Sequence, residues 1–479
     1  MLKKMFRWML FVVACLVTLV ALFYAEEDWR GKHAWDTYQR EREAKGDSFE
    51  WSSVVPPPVP DNENLARIPL FAEFFAKAPE HPRLDAIQLP SGCSNKWGVW
   101  RLGTMEDLSG WPGCFSNTDL RVALSKYEPI LQQITEASRR PYCRFPIRYE
   151  DNWAALLPLL SCFRNLARVY RLRALAELSA GETDAALEDV QTCLRLADKL
   201  KDEPVMISCL VRVAMFDLIT QPVWEGLVAH RWNDSQLTTL QGQLEKIDQF
   251  KDAEKGLQGG RLFGYYTFFW LRDHPAVFRE ALFNPSKGDF SFEPKVSWLD
   301  RMIPSGWFYQ NQLNVDRYYT ETLLPAVDWE HHRVSPSTIL RLDQSIKTLR
   351  LTPYSVMLKL RFTAMSAFIK KTALSQTYVD ETVVACALER YRLAHGSFPE
   401  TLDALVPQLL NKLPHDGIDG QPLRYHRLPD DQYLLYSVGW NEKDDGGQIA
   451  MNGVNQDFDR GDWMWFSQPQ PQLSASERK

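Results

Sequence analysis

Residues 387–406 read ALERYRLAHGSFPETLDALV, and residues 413–447 read LPHDGIDGQPLRYHRLPDDQYLLYSVGWNEKDDGG. The chain changes character between them. Up to His395, apolar residues recur at helical spacing (Val384, Ala387, Leu388, Tyr391). Gly396 is placed to end that helix in the left-handed conformation. Pro399 then turns the chain away, and Gly420-Gln421-Pro422 is turn chemistry ahead of a strand. LRYHRL and QYLLYSVG are period-two or apolar runs that pair as a hairpin across Pro429-Asp430-Asp431. Residues 351–465 are therefore predicted as a long helix running into a small α+β module, with a disordered tail over 466–479.

Everything upstream reads as helix, so the fold class is mainly α. In LARVYRLRALAELSAGETDAALEDVQTCLRLADKL, Leu166, Tyr170, Leu175 and Leu178 mark one apolar face. Ala185, Ala186, Val190, Cys193, Leu194 and Ala197 mark a second, after a turn at Ala180-Gly181-Glu182. The small residues around Gly181 let two helices approach closely, and the pair resembles one tetratricopeptide-type (TPR-like) hairpin, though no 34-residue repeat follows. A third helix is predicted after Pro204, and a fourth from Asp234 through Phe250. GGRLFGYYTFFWL, residues 259–271, is a core or groove helix, too short and too flanked by charge to span a bilayer. One unbroken helix is expected from Tyr354 to His395; Lys359, Arg361, Lys370 and Lys371 exclude it from a membrane. Residues 63–350 form the mainly helical body, loop-rich up to about residue 150.

The N-terminus decides location. Residues 8–25, WMLFVVACLVTLVALFYA, carry no charge and reach the lower length limit of a transmembrane helix. Lys3, Lys4 and Arg7 precede them, and Glu26, Glu27 and Asp28 follow. The positive-inside rule leaves residues 1–7 as a cytoplasmic tail and the rest of the chain extracytoplasmic, on a single-pass anchor. Two other readings fit less well. A cleaved signal peptide lacks its A-x-A site, because Phe23 stands where a small residue is needed. A lipoprotein signal fits Val12-Val13-Ala14-Cys15, yet the apolar run continues ten residues past Cys15. Residues 26–62 are predicted as a juxtamembrane helix, apolar on one face through Trp29, Trp35 and Tyr38, followed by the proline-rich VVPPPVPDN. That segment serves as a stiff spacer or as a strap on the body.

Composition narrows the function classes. The net charge of -6 argues against a nucleic-acid partner, which needs a concentrated basic face. Of eight cysteines, Cys93 and Cys114 sit in loops and either pair or stay free. Cys162, Cys193, Cys209 and Cys386 fall on apolar helical faces as small hydrophobes. No C-x-x-C occurs, so no zinc or redox motif is expected. Asp328, Glu330, His331 and His332 are metal-ligand types, but the HExxH spacing is missing and a solvated helix end or loop is the favoured reading.

The C-terminal module resembles the soluble domain of the major pseudopilin of type II secretion. The shared blocks, in order, are Tyr391 through Pro399, then Lys412-Leu413-Pro414-His415-Asp416, then Gly420 through Tyr425. Tyr436-Ser437-Val438-Gly439 and Asp444-Asp445-Gly446-Gly447 follow, and Asp457, Asp459, Asp462 and Trp463 close the set. The resemblance implies a calcium loop, with Asn441, Asp444, Asp445, Asp457, Asp459 and Asp462 supplying hard oxygen ligands. A solvated acidic turn is the alternative. The chain lacks the pseudopilin's own N-terminal helix with its prepilin-peptidase site, so assembly into a pseudopilus is not implied. The layout is also similar to large bacterial envelope proteins anchored in the inner membrane. Three functions stay open: a binding or scaffold protein with a partner on the helical body and no catalysis; a component associated with a type II secretion or pilus-like system; and an extracytoplasmic hydrolase using carboxylates such as Asp416 or Glu389.

Overall fold

A computed structural model describes residues 2–72, 121–147 without Ala123 and Lys126, 149, 158–283, 297, 300, 302–363, 365–429, 431–452 and 455–467. Cys93, Cys114 and residues 468–479 lie outside the described residues.

The chain is mainly helical, with a few short strands. Its helices, in order, are α1 Leu2–Ala44, α2 Glu128–Ser138, α3 Pro158–Ala180, α4 Thr183–Asp198, α5 Met206–Val228, α6 Asp234–Leu244 and α7 Gln249–Asp273. They continue as α8 Pro275–Phe283, α9 Ser305–Arg317, α10 Pro336–Thr348, α11 Val356–Phe362 and α12 Met365–His395. The strands are β1 Val327–Asp328, β2 Arg333–Val334, β3 Arg424–Leu428, β4 Gln432–Ser437, β5 Ile449–Asn452, β6 Asn455–Gly461 and β7 Trp463–Phe466.

Helix α1 joins the expected tail, anchor and juxtamembrane segments into one rod. Every side chain from Lys4 to Phe23 is exposed, apolar ones included. That stretch is long and apolar enough to cross a bilayer. Met206–Val228 passes the same test, but it is a core helix, mostly buried. The second half of α1 docks along α9. Glycine makes that contact: a Cβ at Gly31 would stand 2.4 Å from the Gly306 carbonyl oxygen, and one at Gly306 would stand 2.0 Å from that of Glu27. Trp35 and Tyr38 bury against Phe49 and Leu313, whereas Trp29 faces outward. Tyr38 donates to Asp316 at 2.9 Å, and Arg261 pairs with the same carboxylate at 2.7 Å. Because α1 itself packs on the body, VVPPPVPDN is no spacer. It runs between Trp51, stacked on Tyr266 at 5.5 Å, and Asn64, which donates to the Arg144 carbonyl, and so forms a strap.

Two large cores flank α12. The first gathers α2–α6, the C-terminal half of α12 and residues of the β3-β4-β7 sheet. The second gathers α7–α11, the β1–β2 hairpin and the N-terminal part of α12. Ile418, Val438, Trp440 and Trp463 of the C-terminal module belong to this second core. The turn at Gly181 (φ +81°) joins α3 to α4 as expected. The expected fourth helix is really two. α6 stops at Leu244, and Asp248 caps α7 by accepting the Lys251 amide at 2.8 Å. The expected long helix is also two, broken after α11, where Thr363 turns its hydroxyl back to the Leu360 carbonyl at 3.2 Å. The four apolar-face cysteines are buried, as is Cys143.

Gly396 takes φ +80° and ends α12. The expected hairpin forms, Arg424 opposite Tyr436 and Leu428 opposite Gln432. β7 pairs with the other edge of β4 and reaches Phe466, one residue past the expected end of the module. β5 and β6 form a separate hairpin.

Candidate functional site

The C-terminal loops are organised by two buried carboxylates. Asp416 (1% exposed) accepts from the Ile418 amide, the Ser437 hydroxyl and the Val438 amide, each at 2.9 Å, with Arg424 at 3.5 Å. Burial pushes its pKa up in spite of those donors. Asp462 (1% exposed) accepts from the amides of Asp445 at 3.1 Å, Gly447 at 2.7 Å and Gln448 at 3.3 Å. Burial raises it too, against the same amides. Each carboxylate holds a loop closed with N–H donors, as a bound cation would hold one with oxygen ligands.

The six expected calcium ligands are divided among other partners. Asn441 donates to Asp445 at 2.8 Å, so Asn441, Asp445 and Asp462 are neighbours. Asp444 turns the other way, to the Tyr436 hydroxyl at 3.1 Å and the Gly446 amide at 3.0 Å. Asp457 pairs with Arg460 at 2.7 Å, and Asp459 with Lys370 at 2.5 Å. The described residues hold no group of three or more His, Cys, Asp or Glu side chains arranged for a metal. A calcium ion wants six to eight oxygens on one centre, and of the six expected ligands the fold brings Asn441, Asp445 and Asp462 together.

The hydrolase candidates are likewise occupied. Glu389, 3% exposed, takes two hydrogen bonds from Arg392 and faces His230 at 2.9 Å. Asp416 has the donors named above and is sealed from solvent. A third acid, Glu381, was not marked by any sequence motif. It lies on α12 behind β4, 0% exposed, and neither carboxyl oxygen has a hydrogen-bond partner. The Ser437 backbone faces it without the geometry of a full bond. Burial, then the charges of Asp416 and Asp380, push its pKa well above the ordinary carboxylate value. Asp380 is raised to about 7, chiefly by burial.

The histidine pair is an expected cluster that the fold opens to solvent. The turn between β1 and β2 carries Trp329 to His332, and it leans on the N-terminus of α7. There, Asp248, Lys251, Glu254, Asp328, Trp329 and His332 line an open cleft of about 520 Å³. His332 holds Asp248 at 3.1 Å and stacks on Phe250 at 5.5 Å. It does so with a left-handed backbone, φ +51°. The bond to Asp248 raises the His332 pKa. Burial works to raise Asp248, but the bonds from His332 and the Lys251 amide outweigh it and lower its pKa. His331 instead pairs with Asp328 at 3.0 Å. Of the four residues singled out together, Asp328 pairs with His331, while His332 pairs outside the set with Asp248 of α7. Asp248, absent from that set, is legible in sequence only as a helix cap.

No protein-family model, curated protein or solved structure matches the chain.

Proposed function

We propose that this chain is a single-pass anchored protein of the bacterial inner membrane whose extracytoplasmic body binds or scaffolds a protein partner. The carrying observation is α1. Its first half is apolar and exposed, while its second half is locked to α9 through Gly31 and Gly306. The body then stands at a fixed height and orientation on the bilayer rather than on a flexible tether. The α3–α4 pair, backed by α5, supports a TPR-like reading, in which stacked helical hairpins present a groove. The secretion-associated reading draws its support from the C-terminal module, where Gly396 ends α12 and the β3–β4 hairpin follows.

Fractionation tests the anchor. The full chain should stay with the membrane pellet through alkaline carbonate extraction, and a chain lacking residues 1–25 should be soluble. Protease added to spheroplasts should digest the body. A body protected in intact spheroplasts, or a full chain released by carbonate, would overturn the reading. Crosslinking in envelopes then separates a scaffold partner from pseudopilins.

A further inference from the structure

The body meets α1 in register. Tyr24 donates to the Met302 carbonyl, the Gly306 amide donates to Asp28 at 2.9 Å, and Tyr38 donates to Asp316 at 2.9 Å. Each of these pairs is 278 positions apart. α9 therefore climbs beside α1 in the same direction, and a level on α1 is a level on the body. The chain just before α9 is the lowest of these points. Helical side chains lean toward their own N-terminus, here toward the membrane, so the Tyr24 hydroxyl holds Met302 no higher than Tyr24 itself. Tyr24 lies inside the apolar run that ends at Ala25. Met302 is thus level with that run, and it is 48% exposed.

An aromatic set surrounds α1 just above that point. Glu27, 4% exposed, accepts from the Trp307 indole N–H at 3.1 Å and the Tyr354 hydroxyl at 3.0 Å, and it pairs with Arg30. Trp307 stands edge-on to Tyr354 with ring centres 6.4 Å apart, and both rings are half-buried. Trp29, on the outward face of α1, is exposed. Tryptophan and tyrosine gathered at one level around a membrane helix are the arrangement of an interfacial belt. Residues 8–25 rise about 27 Å at 1.5 Å per residue, against a hydrocarbon core of about 30 Å, so Glu27 falls at the boundary rather than in bulk water. A carboxylate at that depth is costly unless its charge is met, and the base of the body supplies the donors that meet it.

We propose that the base of the body is a second membrane contact: Trp307 and Tyr354 lie with Trp29 in the headgroup layer of the extracytoplasmic leaflet, and Met302 reaches its acyl chains. The occupant of this surface is lipid rather than protein, because the rigid α1 holds it at the depth where tryptophan and tyrosine partition. The assignment rests on the anchoring of residues 8–25.

The test uses the full chain in phosphatidylcholine nanodiscs. A fluorescent residue excited outside the tryptophan band replaces Leu19, Met302, Ser305 or Ile207, one at a time, each variant checked for a wild-type melting curve. All four positions are exposed. Ile207 is the water-facing control: Met206 borders Gly260, and the adjacent Arg261 pairs with Asp316, the partner of Tyr38, so this level is roughly 20 Å past Ala25 along α1. Lipid brominated along its acyl chains should quench the probes at 19 and 302 about twofold or more, the probe at 305 less, and the probe at 207 not at all. Iodide in the water should give the reverse order. Probes at 302 and 305 that both behave like the one at 207, with position 19 quenched, would overturn the proposal and leave the anchor standing. An unquenched probe at 19 would overturn the anchor and the proposal together. Position 305 keeps the test decisive where a probe at 302 disturbs folding.

Discussion

At the scale of single residues, Glu381 carries an electrostatic cost that the fold does not offset. No cation faces it; Asp380 and Asp416 do. The sign of its effect follows from linkage. A carboxyl whose folded pKa is raised contributes stability that is full below its ordinary value near 4.5 and is lost as pH climbs through the folded value. Asp380 acts in the same sense, between its ordinary 3.8 and about 7. Stability should therefore fall from pH 5 to pH 8 by more than about 1.4 kcal/mol, one pKa unit's worth. Glu381→Gln, neutral at every pH, should flatten that fall and be the more stable protein at pH 8. Urea unfolding midpoints at the two pH values decide it, and equal slopes for the two proteins would remove the account. Asp462→Asn offers a separate test of the acidic loop. It keeps one acceptor where three amides now converge, and should cost about 1.5–3 kcal/mol with or without calcium. A loss seen only when calcium is present would make the loop a metal site.

At the scale of elements, the α1–α9 contact depends on two hydrogen atoms where other residues have a Cβ. Gly31→Leu drives a side chain into the α9 backbone. Overpacking of this kind costs about 1–3 kcal/mol. Residues 26–44 should become the first segment cut in limited proteolysis, while Lys32→Leu, on the exposed face one residue away, should leave the pattern unchanged. Protection of both variants would mean that α1 is held by Trp35 and Tyr38 alone. This contact also marks what the sequence could and could not convey. Periodicity located α3, α4 and α5, and Gly396 marked the end of α12, because those signals are local. Gly31 gives no local signal, since its purpose lies in Gly306, 275 positions away. The breaks at Asp248 and Thr363 were hidden in amphipathic runs that continue across them, and only the cap and turn hydrogen bonds reveal the ends. The acidic loop was legible as a turn. Which carboxylate would face inward was not, because Asp444, Asp457, Asp459 and Asp462 are chemically alike and differ only in what the fold brings beside them.

At the scale of the whole molecule, α12 is the shared wall of both large cores, and the C-terminal module closes each of them. Leu435, Tyr436 and Trp465 pack into the first core and Val438, Trp440 and Trp463 into the second. Trp463 and Trp465 point to the same face of β7, so the division follows position along the strands rather than the pleat. Trp224 of α5 donates its indole N–H to the Phe466 carbonyl at 2.7 Å, so the end of β7 is tied to the opposite part of the body. A terminal module that folded independently would need one dry face of its own. The face of this three-stranded sheet that carries Leu435 and Trp465 is closed by α12 and the first core, while Leu434 and Tyr436 on the other face meet Gly447 of the module's own loop. Residues 396–467 should therefore fail to fold in isolation, giving collapsed amide dispersion in a two-dimensional NMR spectrum. The chain truncated after His395 should lose its cooperative thermal transition, since Trp224 and the two apolar faces of α12 would then meet water. A dispersed spectrum from the isolated segment would mean that the sheet carries its own core and is only docked on the body. The full protein would then unfold in two separate transitions rather than one.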